Sequence, residues 1–272
     1  RSYPARQPSV ILADTDILAA APGFLKAAGF GDVIGKFVAL VDWQASALVT
    51  GEYVCDAILR LTRQAVQDVA SAAPQISKND PRTAQKLMEA LVITGIAMTF
   101  AGCTRPASGA EHIVSHFWEI QKLAAGEISD FHGKKVGIAS IIVAGIYHKL
   151  AGLEQIEPVN CSPDWNAVEA AYGANFMQQI RIENNPPLTE RIDCEALRRA
   201  WPQIRSLIRR ELPTREALLA MMQAAGAATR PCEADVDDDL ARRGIRYSGY
   251  MRDRFTLLRI MPMLGLCDWM VP

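Results

Sequence analysis

The chain is poor in several features, and each scarcity excludes a class of protein. No C-x-x-C pair occurs among its six cysteines, Cys55, Cys103, Cys161, Cys194, Cys232 and Cys267, so spacing alone excludes a zinc ribbon. Scattered thiols in a domain of this size read as reduced and mostly buried, in a cytoplasmic protein. Charge of one sign is also missing: 29 basic against 30 acidic side chains leave a net charge of −1, which argues against a dedicated nucleic-acid binder. The longest uncharged runs, 90–103 and 136–147, are shorter than the ~20 residues that cross a bilayer, and both are expected to be buried core helices. There is no glycine-rich strand-to-helix turn of the kind that binds a dinucleotide; Gly29-Phe30-Gly31 lacks the βαβ context. No signal-peptide pattern is recognised, and a first residue other than Met leads us to expect a fragment or a processed product.

What is present is apolar and helix-forming. Half of the 272 residues are hydrophobic, enough for a substantial core. Residues 9–13, a β-rich run ending at Asp14, are expected to form one short strand. Helical patterns follow over about 18–28, 33–48, 51–70, 81–101, 107–123, 132–150, 194–211, 215–225 and 248–264. Gly29-Phe30-Gly31-Asp32 is expected to break the first of these and open the second. Asp80-Pro81 reads as an N-cap with proline at the first helical position, and Ser162-Pro163 repeats that signal. The acidic run Asp235–Asp239 reads as a solvated helix start, and Arg198, Arg199, Arg205, Arg209 and Arg210 as a solvated face. The pattern predicts a mainly α domain, an orthogonal helical array with one short N-terminal strand.

Histidine is the scarcest chemistry-bearing residue, and three of the four lie between His112 and His132. Clustering of the commonest metal ligand points to a metal site. His112 and His116, four apart, share one helix face. The preceding loop, Thr104-Arg105-Pro106-Ala107-Ser108-Gly109, carries an arginine that needs an anionic partner, for which a phosphate or carboxylate is the natural choice. His132-Gly133 opens the next helix, followed by Lys134 and Lys135, which read as solvated. Two histidines on a metal usually take a carboxylate as third ligand and leave a position for water or substrate. Asp32, in a glycine-rich helix entry, is one candidate and could equally be an N-cap; Asp42, Glu52 and Glu111 compete with it.

Several motifs, in order along the chain, carry a resemblance: Gly29-Phe30-Gly31-Asp32-Val33-Ile34-Gly35-Lys36, Asp42-Trp43, Gly51-Glu52-Tyr53, Arg105 through His112, Ser115-His116-Phe117-Trp118, His132 through Gly137, and Arg252 through Arg259. With these the chain resembles the glycerol-1-phosphate dehydrogenase family, in its bacterial AraM-type branch, within the iron-containing alcohol dehydrogenase and glycerol dehydrogenase superfamily. The resemblance implies Asp32, His112 and His132 as metal ligands, zinc or nickel as the metal, and His116 beside the substrate as a catalytic group. Related iron enzymes have a fourth ligand histidine four residues after the aspartate. Lys36 stands there instead, which fits three-ligand coordination and puts a cation near a phosphorylated substrate. Lys36, Arg105 and Ser108 are the expected substrate-binding residues, and Lys36 is expected with His116 among the catalytic groups. The implied reaction is reversible reduction of dihydroxyacetone phosphate to sn-glycerol 1-phosphate with NADH or NADPH.

The resemblance also implies a two-domain protein, of which residues 1–272 would be the helical C-terminal, metal- and substrate-binding domain. The nucleotide-binding domain would then be supplied in cis by a longer protein or in trans by another chain. The apolar surface left by its absence is expected to be covered by a partner, a second copy being one candidate. Two other readings stay open: a non-redox structural or interaction protein on the same scaffold, and a metal-dependent hydrolase or lyase using the same three ligands to activate water.

Overall fold

Asp14, not a strand, starts the ordered architecture: its carboxylate accepts the N–H groups of Asp16 and Ile17 and caps α1 (Thr15–Ala20). The computed structural model describes residues 8–270. No strand occurs among them; Val10, Ile11 and Leu12, expected in a strand, are exposed and have no ladder to join. A β-rich run without a partner strand stays irregular. The mainly α expectation stands, without its strand.

The next helices differ from the expected boundaries in an informative way. Pro22 precedes α2 (Gly23–Ile34), which runs straight through Gly29 and Gly31. The break comes at Gly35, before α3 (Lys36–Thr50). Gly31 is there for packing. A β-carbon on it would collide with the carbonyl oxygen of Gly133, and one on Gly133 would collide with that of Ala28. Glycine lets the two backbones approach. Gly51, with φ +73°, closes α3 rather than opening α4, which covers Asp56–Ser71.

Asp80 caps α5 (Pro81–Ala101) as expected, accepting from the N–H groups of Arg82 and Thr83. By length and composition α5 is the one helix among the described residues that could cross a membrane. It packs on α1, α2 and α4, but Ile96 and Phe100 are exposed, so the run 90–103 is a partly open face and not a buried core helix. The N-terminus of α6 (Ala110–Ala124) follows a tight loop. α7 (His132–Leu150) occupies its predicted span and is the central helix; Val136, Ile138, Ala139, Val143, Ala144, Tyr147 and Leu150 are all inaccessible to solvent. It packs against α2, α6 and α12.

The C-terminal half wraps this centre. It comprises α8 (Trp165–Tyr172), α9 (Ala174–Glu183), α10 (Leu188–Arg191), α11 (Cys194–Glu211), α12 (Arg215–Ala224) and α13 (Asp238–Tyr247). Asp164 rather than Ser162 caps α8, and Asp237 caps α13, which places the acidic run at a helix start. Of the late arginines, Arg205 and Arg209 donate to the carbonyl of Ala151 and so close the C-terminus of α7. The helix expected over 248–264 is absent. Short 3₁₀ turns, Ser248–Met251 and Met261–Leu264, flank a buried irregular segment. Its N–H groups find side chains instead: Leu257 donates to Asp42 and Leu258 to the Tyr147 hydroxyl.

Candidate metal centre

Where α2 crosses α7 backbone to backbone, Asp32 and His132 are the residues next to the contacting glycines. α6 brings His112 alongside. His112 Nε2 stands 3.2 Å from Asp32 Oδ1, and His132 Nε2 stands 3.7 Å from the same oxygen. One donor atom from each of the three residues falls within 4.8 Å of the other two. The ring of His116 lies 5.2 Å from that of His132 and 6.2 Å from that of His112, centroid to centroid.

The other imidazole nitrogens are held by carboxylates. Nδ1 of His112 is 2.6 Å from Glu111 Oε1, which also accepts the N–H of Gly109. Nδ1 of His132 is 2.8 Å from Glu119 Oε1. A histidine that donates through Nδ1 to a carboxylate presents its Nε2 lone pair to a metal, with raised basicity. Both Nε2 atoms face Asp32. One carboxylate and two imidazoles so arranged suit a divalent ion such as zinc or nickel and leave room for a further ligand. Glu119 was not legible as a partner in the sequence, although its place three residues after His116 puts it on the same face of α6. With His116 and His132 it forms a second group of potential ligands. Lys135 also reaches Glu119, at 3.1 Å, and competes for that carboxylate.

The electrostatics follow from these neighbours. Burial would raise the pKa of Asp32, but the charge of Lys36 and the hydrogen bond from His112 outweigh it and hold the carboxyl well below its usual range. Burial and Lys36 push His112 down, yet its hydrogen bonds to Asp32 and Glu111 leave it raised. His116 is pushed down to about 4, by burial first and then by His132, so it is neutral at pH 7. Glu119 is lowered to about 2: the bond from His132 and the charges of His132 and Lys135 overcome its desolvation.

The structure sorts the other candidates. Lys36 lines the cleft, but its Nζ is 2.9 Å from Asp32 Oδ2 and 2.7 Å from the Asp32 carbonyl, so its charge is already matched. Arg105 does not line the cleft. Nε and Nη2 grip both carboxylate oxygens of Glu52, Nη2 also reaches Ser46 Oγ, and Nη1 donates to the Phe255 carbonyl. The anion that this buried arginine needs is an internal glutamate. Glu52 is thereby excluded as a ligand in this geometry. Asp42 is fully buried behind α6 and accepts from Ala110 N–H, Leu257 N–H and the Tyr147 hydroxyl. Burial and the nearby Glu111 raise its pKa to about 7. Ser108 lines the cleft, and its carbonyl is bonded by Arg254. Lys134 pairs with Asp130, and Lys135, expected to be solvated, is buried against Ser129 and Asp130.

The three prospective ligands, His116, Ser108, Arg252 and Arg254 border one cleft of about 350 Å³. No protein-family model matches the chain. Comparison with curated proteins is more informative. The chain is 31% identical over 259 residues to a Bacillus licheniformis protein, the match covering 95% of this chain and 54% of that one. A Methanosphaerula palustris protein is 39% identical over 185 residues, covering 68% and 45%. A Bacillus subtilis protein is 29% identical over 259 residues, covering 94% and 55%. Each is named glycerol-1-phosphate dehydrogenase (NAD(P)+). The chain belongs to the glycerol-1-phosphate dehydrogenase family. It spans about half the length of the curated relatives it matches. For a glycerol-1-phosphate dehydrogenase family member the mainly α architecture found here is that of its helical C-terminal domain.

Proposed function

We propose that this chain is the metal- and substrate-binding domain of a glycerol-1-phosphate dehydrogenase, interconverting dihydroxyacetone phosphate and sn-glycerol 1-phosphate. The nicotinamide cofactor, NAD or NADP, would be bound by a nucleotide-binding domain joined in cis or supplied in trans. Asp32, His112 and His132 would hold one divalent ion, zinc or nickel. The observation that supports this reading most is the convergence of their three donor atoms in a cleft that also carries His116 and two arginines.

A divalent ion at that point would supply Lewis acidity toward the oxygen at C2 of the substrate. The chain's own groups do the rest. Glu111 and Glu119 fix the tautomers of the two ligand histidines. Lys36 keeps Asp32 ionised. Neutral His116 is free to accept a hydrogen bond from a substrate hydroxyl, or a proton as that hydroxyl is oxidised. Hydride transfer belongs to the nicotinamide, which the protein positions. Six free cysteines fit a reducing, cytoplasmic setting.

The test is an assay of NADH and NADPH oxidation with dihydroxyacetone phosphate. It should use the metal-loaded chain together with the nucleotide-binding domain, fused or added. Turnover that depends on both metal and phosphorylated substrate is expected, with His116→Ala lowering kcat. Cleavage of phosphoesters without any nicotinamide, and no cofactor oxidation, would overturn the reading.

A further inference from the structure

Arg259 carries a charge that none of its described neighbours matches. The residue is only 3% exposed. Its Nη2 donates to the Asn184 side-chain oxygen at 2.9 Å, and its guanidinium carbon lies 3.8 Å from the centre of the Tyr250 ring. Its Nε is buried with no hydrogen-bond partner. Among the described residues no carboxylate stands within ion-pair distance of it. A ring face and an amide oxygen lower the cost of burying the cation, but neither carries a charge that cancels it. Arg105, by contrast, has Glu52. The chain makes room for this side chain: a β-carbon on Gly249 would lie 2.7 Å from Arg259 Cδ.

Arg259 borders a cavity of about 10 Å³ that shares no residue with the cleft of Asp32, His112 and His132. A second arginine, Arg246 on α13, borders the same cavity. It lies over the Tyr247 ring, 5.7 Å from its centre, and is likewise without an acidic partner among the described residues. No acidic residue lines the cavity; Tyr250, Leu258, Pro262 and Met270 are part of its wall.

We infer that this cavity binds one monatomic anion of the chloride class, held between Arg259 and Arg246. The two guanidinium groups supply both charge and N–H donors. The volume admits one small guest and excludes a phosphate or sulfate. A water molecule there would satisfy Nε and leave the charge unmatched. Bound in this place, the anion ties α13, through Arg246, to the segment around Arg259 and so to Asn184 at the end of α9.

The experiment is thermal unfolding of the metal-loaded chain in sodium chloride and in sodium gluconate at equal ionic strength, gluconate being too large for the cavity. It is repeated for Arg259→Met, which keeps an unbranched side chain and removes the charge. The variant retains the metal centre, so it also controls for chloride bound there. Chloride should raise the wild-type midpoint saturably, by on the order of 3 °C at ten times its dissociation constant, and should not raise that of Arg259→Met. Wild-type crystals soaked in sodium bromide should show anomalous scattering beside the Arg259 guanidinium, a readout that does not depend on the variant folding. Equal midpoints in the two salts, a chloride response that Arg259→Met retains, or bromide found only away from Arg259 would each overturn the site.

Discussion

Gly31 and Gly133 meet backbone to backbone where α2 crosses α7, and the residue after the first and the residue before the second are Asp32 and His132. The crossing therefore sets the separation of two prospective ligands. Packing and the candidate site are not independent in this molecule: the close approach of α2 and α7 at these glycines and the placement of the prospective ligands are one feature of the chain.

Gly31→Ala should accordingly damage both. A methyl group has no space beside the Gly133 carbonyl, so the helices must part, and overpacking of this kind costs about 1–3 kcal/mol. Denaturant unfolding should show that loss, and zinc affinity measured on the folded variant should fall with it. Full stability, or lost stability with unchanged affinity, would separate the crossing from the site.

Glu119→Gln should weaken metal binding by about tenfold, the lower end of what removal of such a supporting partner costs, because the amide polarises His132 less than the carboxylate does. Competition with a chromogenic chelator reads this directly. Unchanged affinity would mean that Glu119 belongs to Lys135 and not to the histidine.

Arg105→Met should destabilise the fold without changing ligand affinity. Breaking a fully buried ion pair costs ~3–5 kcal/mol, and Glu52 is partly open to solvent, so about 2–3 kcal/mol is expected. Selective loss of affinity for phosphorylated ligands with stability intact would return Arg105 to the substrate.

Asp42 gives a pH dependence with a defined sign. Its folded pKa is raised from 3.8 to about 7 by burial and by Glu111. Between those values the folded chain keeps a proton that the unfolded chain has released, so its contribution to stability falls as pH rises through that window. Above about 7 both states are ionised and the loss is complete. Urea unfolding of wild type and Asp42→Asn across pH 4 to 8 isolates this contribution. The wild type should lose stability relative to the variant up to about pH 7, after which the difference should be constant. A constant difference throughout would place the Asp42 pKa near its ordinary value.

Much of the architecture was legible because the signals are local. The Asp80-Pro81 cap and the uninterrupted apolar pattern of α7 act within a few residues, and both elements lie where the pattern puts them. Errors arose where a residue's role is set by a distant neighbour. Gly29 and Gly31 read as a helix break, since nothing nearby reveals that α7 passes against them. The run 9–13 has strand propensity and, among the described residues, no strand to pair with. Residues 252–260 look helical, but their backbone is drawn into the core by Asp42 and Tyr147. The same division holds at the site. The spacing of His112 and His116 announced a shared face. The pairing of Arg105 with Glu52 joins residues far apart in sequence and could not be seen, and neither could the placement of Arg254 on the cleft wall.

The most direct test of the account is elemental analysis of the purified chain after dialysis against zinc or nickel, for wild type and for Asp32→Asn, His112→Ala and His132→Ala. One equivalent of divalent ion per chain is expected for wild type, and its loss in each of the three variants while circular dichroism shows the helices retained. No uptake by wild type, or stoichiometric metal that survives all three substitutions, would contradict a centre built from these side chains.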